Sequence, residues 1–257
     1  MAPIAVLYDK RPDGVAWVTL NRPHALNALD SVAKEELAAI WQDAAADAAV
    51  RAVLVHGAGP RAFCAGSDMK EMDQAGRTVS TEALLRAIPG GSAPLDKPVI
   101  AALHGYCIGM GLTLALHCDL RLAAPDTVLG FPEVAHGMIS GVSAMRLPQV
   151  IPTARALELL LLGQTITAAE AERMGLVNRV VGTDVLAEAE RWAQLAARNS
   201  PVATQATKRL ALLPARRLLE AEVAAIDAAR RQVEESADFR EGARAFAERR
   251  PPSFRGE

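Results

Sequence analysis

The chain has 257 residues and a formal net charge of −2 at pH 7. That length can bury one sizeable core, or a core with a helical appendage, and the slightly acidic balance is atypical of a general nucleic-acid binder. Half of the residues are apolar, yet no apolar run reaches the length that spans a bilayer. With no signal-type hydrophobic region before Asp9-Lys10-Arg11, we expect a cytoplasmic protein that binds neither nucleic acid nor membrane.

Four short apolar runs in the first part of the chain predict strands: 4–8, 15–20, 52–55 and 98–103. The turn Arg11-Pro12-Asp13-Gly14 would pair the first two. Asp30 or Ser31 is expected to cap a helix. Its core face would comprise four residues with helical spacing, Leu37, Ile40, Trp41 and Ala44.

The chain after residue 150 predicts mainly helices. Capping patterns mark where they begin: Pro152-Thr153, the capping box Thr167–Glu170, Asp184 and Ser200-Pro201. One further strand is expected over 176–181. Strands that alternate with helices indicate an α/β fold with right-handed crossovers.

The three cysteines, Cys64, Cys107 and Cys118, are widely spaced in apolar surroundings. An odd number with this spacing matches neither a disulfide framework nor a zinc site. We expect reduced thiols in the core, and no metal.

Two small-residue turns each follow an apolar run and open a predicted helix. The first turn is Ala65-Gly66-Ser67 and the second turn is Gly109-Met110-Gly111. Turns of this kind leave backbone N–H groups unpaired at a helix N-terminus, where they can stabilise an oxyanion. The second turn also supplies the G-x-G of a dinucleotide-binding fingerprint. That fingerprint needs Gly or Ala where this chain has Leu114, and no ribose-binding acid follows at the required distance, so nucleotide binding is disfavoured.

These turns lie in two longer motifs that resemble the crotonase (enoyl-CoA hydratase/isomerase) superfamily: F-x-A-G-x-D-x-K-E-M over 63–72 and H-G-Y-x-x-G-x-G over 104–111. Other matching segments follow in the same order along the chain: 21–29, 118–124, 131–133, 162–163, 168–177 and 241–249. The resemblance implies an α/β fold, with a crotonase-like ββα spiral core over 1–195 and a C-terminal helical oligomerisation region over 196–257. It also implies a homotrimer or a dimer of trimers.

The resemblance assigns chemistry to four positions. An acyl-CoA thioester would place its carbonyl oxygen between the backbone N–H groups of Ser67 and Met110, which would stabilise an enolate. Glu133, in Gly-Phe-Pro-Glu, matches an acid/base glutamate of the family. Thr113 occupies the position of the second glutamate of double-glutamate hydratases. A single carboxylate suits the proton shuttle of a double-bond isomerisation better than the addition of water.

The resemblance further implies contacts to the CoA part of the substrate, so that no separate cofactor is expected. The residues concerned are His24, Ala25 and Leu26 near the pantetheine and phosphates, Ala65, Asp68, Met69 and Lys70 near the adenine, and Phe246 and Arg249 near the C-terminus. Lys70 would equally suit an exposed helix charge.

Several alternatives stay open. The chain could be a catalytically silent homologue that binds CoA esters, or could use another enolate chemistry, as a dehydratase or a hydrolase. Any of His104, His117 and His136 could assist. The acyl group is not predicted, because the segment around 76–91, expected to shape its pocket, carries no readable motif.

Overall fold

A computed structural model describes residues 4–75, 79–91 and 93–257, without the side chains of 73–75. Residues 76–78, which belong to the segment expected to shape the acyl pocket, lie outside the described residues, as do 1–3 and 92. The strands are β1 (Val6–Lys10), β2 (Val15–Leu20), β3 (Ala52–Gly57), β4 (Ala62–Cys64), β5 (Val99–Leu103), β6 (Tyr106–Ile108), β7 (Leu120–Ala123), β8 (Val128–Gly130), β9 (Thr165–Thr167) and β10 (Arg179–Val180). The α-helices are α1 (Ser31–Ala46), α2 (Met69–Ala75), α3 (Thr81–Arg86), α4 (Met110–His117), α5 (Gly141–Arg146), α6 (Thr153–Leu162), α7 (Ala168–Arg173), α8 (Val185–Arg198), α9 (Pro201–Glu235) and α10 (Ala237–Glu248).

The strands form two sheets. The larger has the order β1-β2-β3-β5-β7-β10 and the smaller the order β4-β6-β8-β9. Pairing is parallel except between β1 and β2 and between β8 and β9. Each of the successive pairs β3-β4, β5-β6 and β7-β8 gives one strand to each sheet, and helices follow the pairs. The expected α/β fold with its ββα repeat is therefore confirmed.

The core forms where the apolar pattern predicts it. The four core-face residues of α1 are all buried, and Asp30 caps the helix by accepting a hydrogen bond from the N–H of Ala33 at 2.8 Å. Trp41 also satisfies its indole N–H, which donates to the carbonyl oxygen of Ala87 at 2.9 Å. All three cysteines are free and buried, and burial raises the pKa of the Cys64 thiol to about 12. The expectation of core thiols is confirmed.

The helix starts are also confirmed. Thr167 and Glu170 form a complete capping box, and Asp184 and Ser200 accept hydrogen bonds from the backbone at the starts of α8 and α9. The strand expected over 176–181 is shorter, because only Arg179–Val180 pairs with β7. Leu176 lies just beyond the end of α7 instead, and its N–H donates to the carbonyl oxygen of Ala171 in that helix.

The C-terminal region consists of α9 and α10. The 35-residue α9 buries only Ile226 and Arg230, on the side that packs against α5. Several of its apolar side chains are exposed, among them Val202 at 81% and Leu210 at 71%. The predicted division at residue 195 lies inside the last turn of α8 and stays a prediction. Within the described ranges, no helix is both long enough and apolar enough to cross a bilayer.

Candidate functional site

Both turns and Glu133 line one cavity of about 270 Å³. Its other walls include residues of α2, α3, α4 and α5, of the loop before α5, and of α9 and α10. The walls are mainly apolar, and among the described residues four ionisable side chains reach them: Glu133, His136, Arg230 and Glu234. Such a concave, mostly apolar space with a few polar groups is typical of a small-molecule site.

The first turn leaves one backbone N–H unpaired among the described residues, on a residue that lines this cavity. The N–H of Leu29 donates to the carbonyl oxygen of Gly66 at 2.8 Å, and the N–H of Asp68 donates back to Leu29 at 3.0 Å. Ser67 lies between these two bonds, so its own N–H points to the opposite side, as alternation along extended backbone requires. In the part of the chain that the structure describes, this N–H has no acceptor.

The second turn supplies another unpaired donor. Gly109 is the N-cap of α4 with a φ of +56°, a conformation that favours glycine, and Met110 is the first helical residue. The first N–H groups of a helix have no partner inside it. No described residue accepts a hydrogen bond from the Met110 N–H.

The two turns touch each other and Glu133. A Cβ added at Gly66 would lie 3.7 Å from the backbone nitrogen of Met110, and one added at Gly109 would lie 3.0 Å from Oε1 of Glu133. The start of α4 also packs tightly on the chain before the first turn. A Cβ added at Gly111 would lie only 2.2 Å from the Cys64 carbonyl oxygen. Glycine at these positions thus lets two N–H donors and one carboxylate share one small space.

Glu133 places its carboxyl group against the second turn. It opens a short 3-10 helix, Glu133–His136, and its Oε2 atom is buried without a hydrogen-bond partner among the described residues. Burial raises the pKa of Glu133 above its ordinary value, an effect that the nearby Ser140 hydroxyl partly offsets. A raised pKa of this kind suits a carboxyl group to proton transfer.

Thr113 lines the same cavity, but its hydroxyl is already engaged. Oγ1 lies 3.1 Å from the carbonyl oxygen of Gly109, to which it donates, and 2.6 Å from Oγ of Ser143. Both side chains are buried. The position therefore presents a neutral, hydrogen-bonded group to the cavity.

The three candidate histidines occupy different places. His136 lines the cavity and packs edge-on against Phe246, with ring centroids 5.6 Å apart, and burial lowers its pKa. His117 is 2.9 Å from the Thr113 carbonyl oxygen through Nδ1, and burial lowers its pKa to about 4. His104 bonds the Gly59 carbonyl oxygen. Of the three, only His136 belongs to the cavity.

The residues expected near CoA divide into two groups. Ala65, Met69 and Phe246 line the cavity. Asp68 forms an ion pair with Arg22 at 2.9 Å, so its carboxylate is already engaged within the protein.

The other members of this set lie outside the cavity lining. His24 and Lys70 are exposed, and Ala25 and Leu26 are partly exposed. Leu26 is linked to the first turn, since its carbonyl oxygen accepts from the Ala65 N–H at 3.0 Å. Arg249 lines a neighbouring surface pocket that also includes His136 and Phe246.

Four polar residues of the site were not found from the sequence: Ser140, Ser143, Arg230 and Glu234. Ser140 precedes α5 as its N-cap residue, which was the one signal available. Arg230 and Glu234 carry no motif, because charges on a long helix are read as a solvated face. In the described ranges, no group of three His, Cys, Asp or Glu side chains is placed to hold a metal ion.

The burial of Glu133 gives a pH-dependent stability. Its folded pKa is raised above the ordinary 4.5, so between these two values the folded state holds a proton that the unfolded state has lost. Stability from this group is present below 4.5 and is lost as the pH rises through the folded pKa. Glu133→Gln removes the carboxylate, so its free energy of unfolding should exceed that of the parent at about pH 8 and converge with it toward about pH 4.

Urea unfolding at several pH values measures this difference. Glu220→Gln, at an exposed glutamate, is the control and should follow the parent throughout. Equal pH profiles for the parent and Glu133→Gln would contradict the burial of this carboxylate.

Comparison with known proteins agrees with the geometry. A family model described as enoyl-CoA hydratase/isomerase matches residues 10–257. The (E)-benzylidenesuccinyl-CoA hydratase of Thauera aromatica is 38% identical over 245 residues, which cover 94% of this chain and 96% of that protein. A probable enoyl-CoA hydratase of Mycobacterium leprae is 39% identical over 246 residues, which cover 93% of this chain and 94% of that protein.

Solved structures give the same result. The crystal structure of carnitinyl-CoA hydratase from Mycobacterium avium superposes with a TM-score of 0.88 at 33% identity and covers 100% of both chains. An enoyl-CoA hydratase/isomerase from Pseudoalteromonas atlantica gives a TM-score of 0.88 at 30% identity and covers 98% of this chain and 100% of that one. The chain thus has the crotonase fold and belongs to the enoyl-CoA hydratase/isomerase family of enzymes.

Proposed function

We propose that this enzyme moves a proton on an enoyl-CoA thioester, with Glu133 as the acid/base and the N–H groups of Ser67 and Met110 as the oxyanion hole. The observation that carries the proposal is the contact of the Glu133 carboxyl group with the second turn, beside both backbone donors; its Oε2 atom has no hydrogen-bond partner among the described residues. A carbonyl oxygen held by both N–H groups would place the adjacent Cα within reach of Glu133.

The reaction that fits best is isomerisation of a β,γ-enoyl thioester to the α,β isomer. Glu133 takes a proton from Cα, and the electron pair passes into a dienolate whose oxygen carries the negative charge. The two backbone donors stabilise that oxygen, each by roughly 3–4 kcal/mol judged from other oxyanion holes. The same carboxyl group then returns the proton to Cγ, so the step consumes nothing besides the thioester.

Thr113 supports isomerisation over hydration. Addition of water needs a base to orient and deprotonate the water, and a threonine hydroxyl is no base near neutral pH. Here that hydroxyl is also occupied by Ser143 and by the Gly109 carbonyl oxygen. Hydration with Glu133 in both roles is the second candidate, because the similar proteins from Thauera aromatica and Mycobacterium leprae are named hydratases.

Substrate binding and assembly are proposed on the same basis. The CoA part would extend past Ala65 and Met69 toward Leu26, with coenzyme A as part of the substrate and no separate cofactor.

The exposed apolar side chains of α9 support a trimer or a dimer of trimers, since an oligomer would cover them. Sedimentation velocity tests the assembly, and a stable monomer at micromolar concentration would overturn it. A cytoplasmic location stays a prediction.

The role of Glu133 is tested by incubating the protein with β,γ-enoyl-CoA esters in deuterated water. Isomerisation with Cα exchange and no net hydration is expected from the parent, and Glu133→Gln should lose at least about 100-fold of this rate because an amide cannot carry the proton. Its affinity for the ester should stay within a few-fold, and Glu220→Gln should behave as the parent. Turnover of Glu133→Gln within about threefold of the parent would overturn the assignment, and exchange-free binding by the parent itself would indicate a silent homologue.

The role of Thr113 is tested by restoring a carboxylate. Thr113→Glu should raise hydration of crotonyl-CoA by at least about tenfold, because two carboxyl groups with different pKa values can divide the acid and base roles. Thr113→Gln is the matched control, with the same size and no base, and folding of both is checked by circular dichroism because a buried charge destabilises. No gain in a folded variant that binds the ester would contradict the idea that this position alone separates the chain from hydratases.

A further inference from the structure

A second cavity, of about 60 Å³, is lined by residues of α4, α5 and α9. The same three helices contribute to the active-site cavity, but no residue lines both. Part of its wall is apolar and includes Leu95, Leu212 and Leu219. The second cavity is therefore a space distinct from the proposed reaction centre.

The charged side chains that line the second cavity are all basic. Arg146, Lys208 and Arg216 reach it, and no acidic residue is among the described residues of its wall. His117 also lines it, and because burial lowers the pKa of this imidazole to about 4, the ring is neutral near neutral pH. Such a wall favours a negatively charged occupant.

Two of the three cations are balanced by carboxylates that lie outside the wall. Nζ of Lys208 donates to Oδ2 of Asp119 at 2.6 Å and to the carbonyl oxygen of Lys97 at 2.8 Å. Nη1 of Arg216 donates to Oδ1 of Asp96 at 2.8 Å. The positive charge of these two side chains is therefore largely offset.

Arg146 is different, because it is partly buried and forms no ion pair with any residue that the structure describes. Its Nη1 donates to Oε1 of Gln149 at 3.2 Å, and the amide of Gln149 is itself fixed by donating to the Met145 carbonyl oxygen at 2.9 Å. A guanidinium has five N–H donors in a planar fork that matches a carboxylate, and the bond to Gln149 uses one of them. Burial lowers the pKa of Arg146, and the more distant Asp119 carboxylate opposes that change.

The size and the apolar part of the wall narrow the choice of anion. A water molecule needs about 10–15 Å³ of cavity, so the second cavity holds a ligand of about four to six non-hydrogen atoms. An inorganic anion would leave the leucine side chains uncovered. An aliphatic carboxylate would place its charged end on Arg146 and its chain on Leu95 and Leu212.

We propose that the second cavity binds a small aliphatic carboxylate, whose charged end is held by Arg146. The site is separate from the proposed proton transfer, so it stands or falls independently of that reaction.

Isothermal titration calorimetry with four small compounds tests the proposal: butyrate, 1-butanol, butylamine and inorganic phosphate. The parent should bind butyrate at millimolar concentration and at least about tenfold more tightly than 1-butanol, because only the carboxylate forms charge-assisted hydrogen bonds with Arg146. Butylamine should bind no more tightly than 1-butanol, since the wall is basic. Phosphate should bind less tightly than butyrate, since it has no apolar part.

Variants locate the binding. Arg146→Met should lose at least about tenfold of the affinity for butyrate, and Arg146→Lys should lie between the two, because lysine keeps the charge without the planar fork. Arg217→Met, at the exposed neighbour of Arg216 on α9, is the matched control and should bind butyrate as the parent does. Circular dichroism checks that each variant folds.

Three results would overturn the inference: butyrate that binds no more tightly than 1-butanol or not at all, phosphate that binds more tightly than butyrate, or an unchanged affinity for butyrate in folded Arg146→Met. If Arg146→Met does not fold, the comparison of the four compounds on the parent still decides. None of these results bears on the proposed function, because no turnover is measured.

Discussion

The site depends on the close approach of two backbone turns. Gly66 and Gly109 have positive φ angles, and a side chain on either would occupy the space between the turns or displace Glu133. Gly111 brings the start of α4 against the Cys64 carbonyl oxygen, closer than any Cβ would allow. Backbone donors need this contact, because an N–H group is fixed in position only when the chain that carries it is fixed.

The site also requires that the Glu133 carboxyl group is buried, and this burial makes the folded state less stable. A carboxylate without a hydrogen-bond partner at Oε2 is unfavourable in a folded core. The same burial raises its pKa toward the range in which a carboxyl group can both take and return a proton. The structure therefore keeps at its proposed reaction centre a group that packing alone would disfavour, which is common at active sites.

Much of the fold could be predicted from the sequence because its signals are local. The caps at Asp30, Thr167 and Ser200 are made by side chains within three residues of the N–H groups that they accept from. The strands β4, β6 and β8 were missed because three residues are too few to show a period. They pair through contacts with distant segments, which only the folded chain reveals.

At the site, too, local motifs could be predicted from the sequence, and contacts between distant segments could not. The two turns and Glu133 lie in short motifs, so their positions could be read from the chain. Arg230 could not, because its place in the cavity depends on how α9 packs on α5 at Gly141. Nor could the sequence select His136 among the histidines, since that depends on which side of each element faces the cavity.

In the proposed site, the backbone N–H groups of Ser67 and Met110 bind the thioester oxygen, and carbonyl infrared spectroscopy of a bound ester detects such hydrogen bonds. A CoA ester labelled with carbon-13 at the carbonyl would be bound to Glu133→Gln, which holds the ester without turnover. We predict that the carbonyl stretch shifts to lower frequency than in buffer, because two fixed donors polarise the bond more than water does. A stretch that stays at the buffer frequency or moves higher would show that these N–H groups do not bind the carbonyl oxygen.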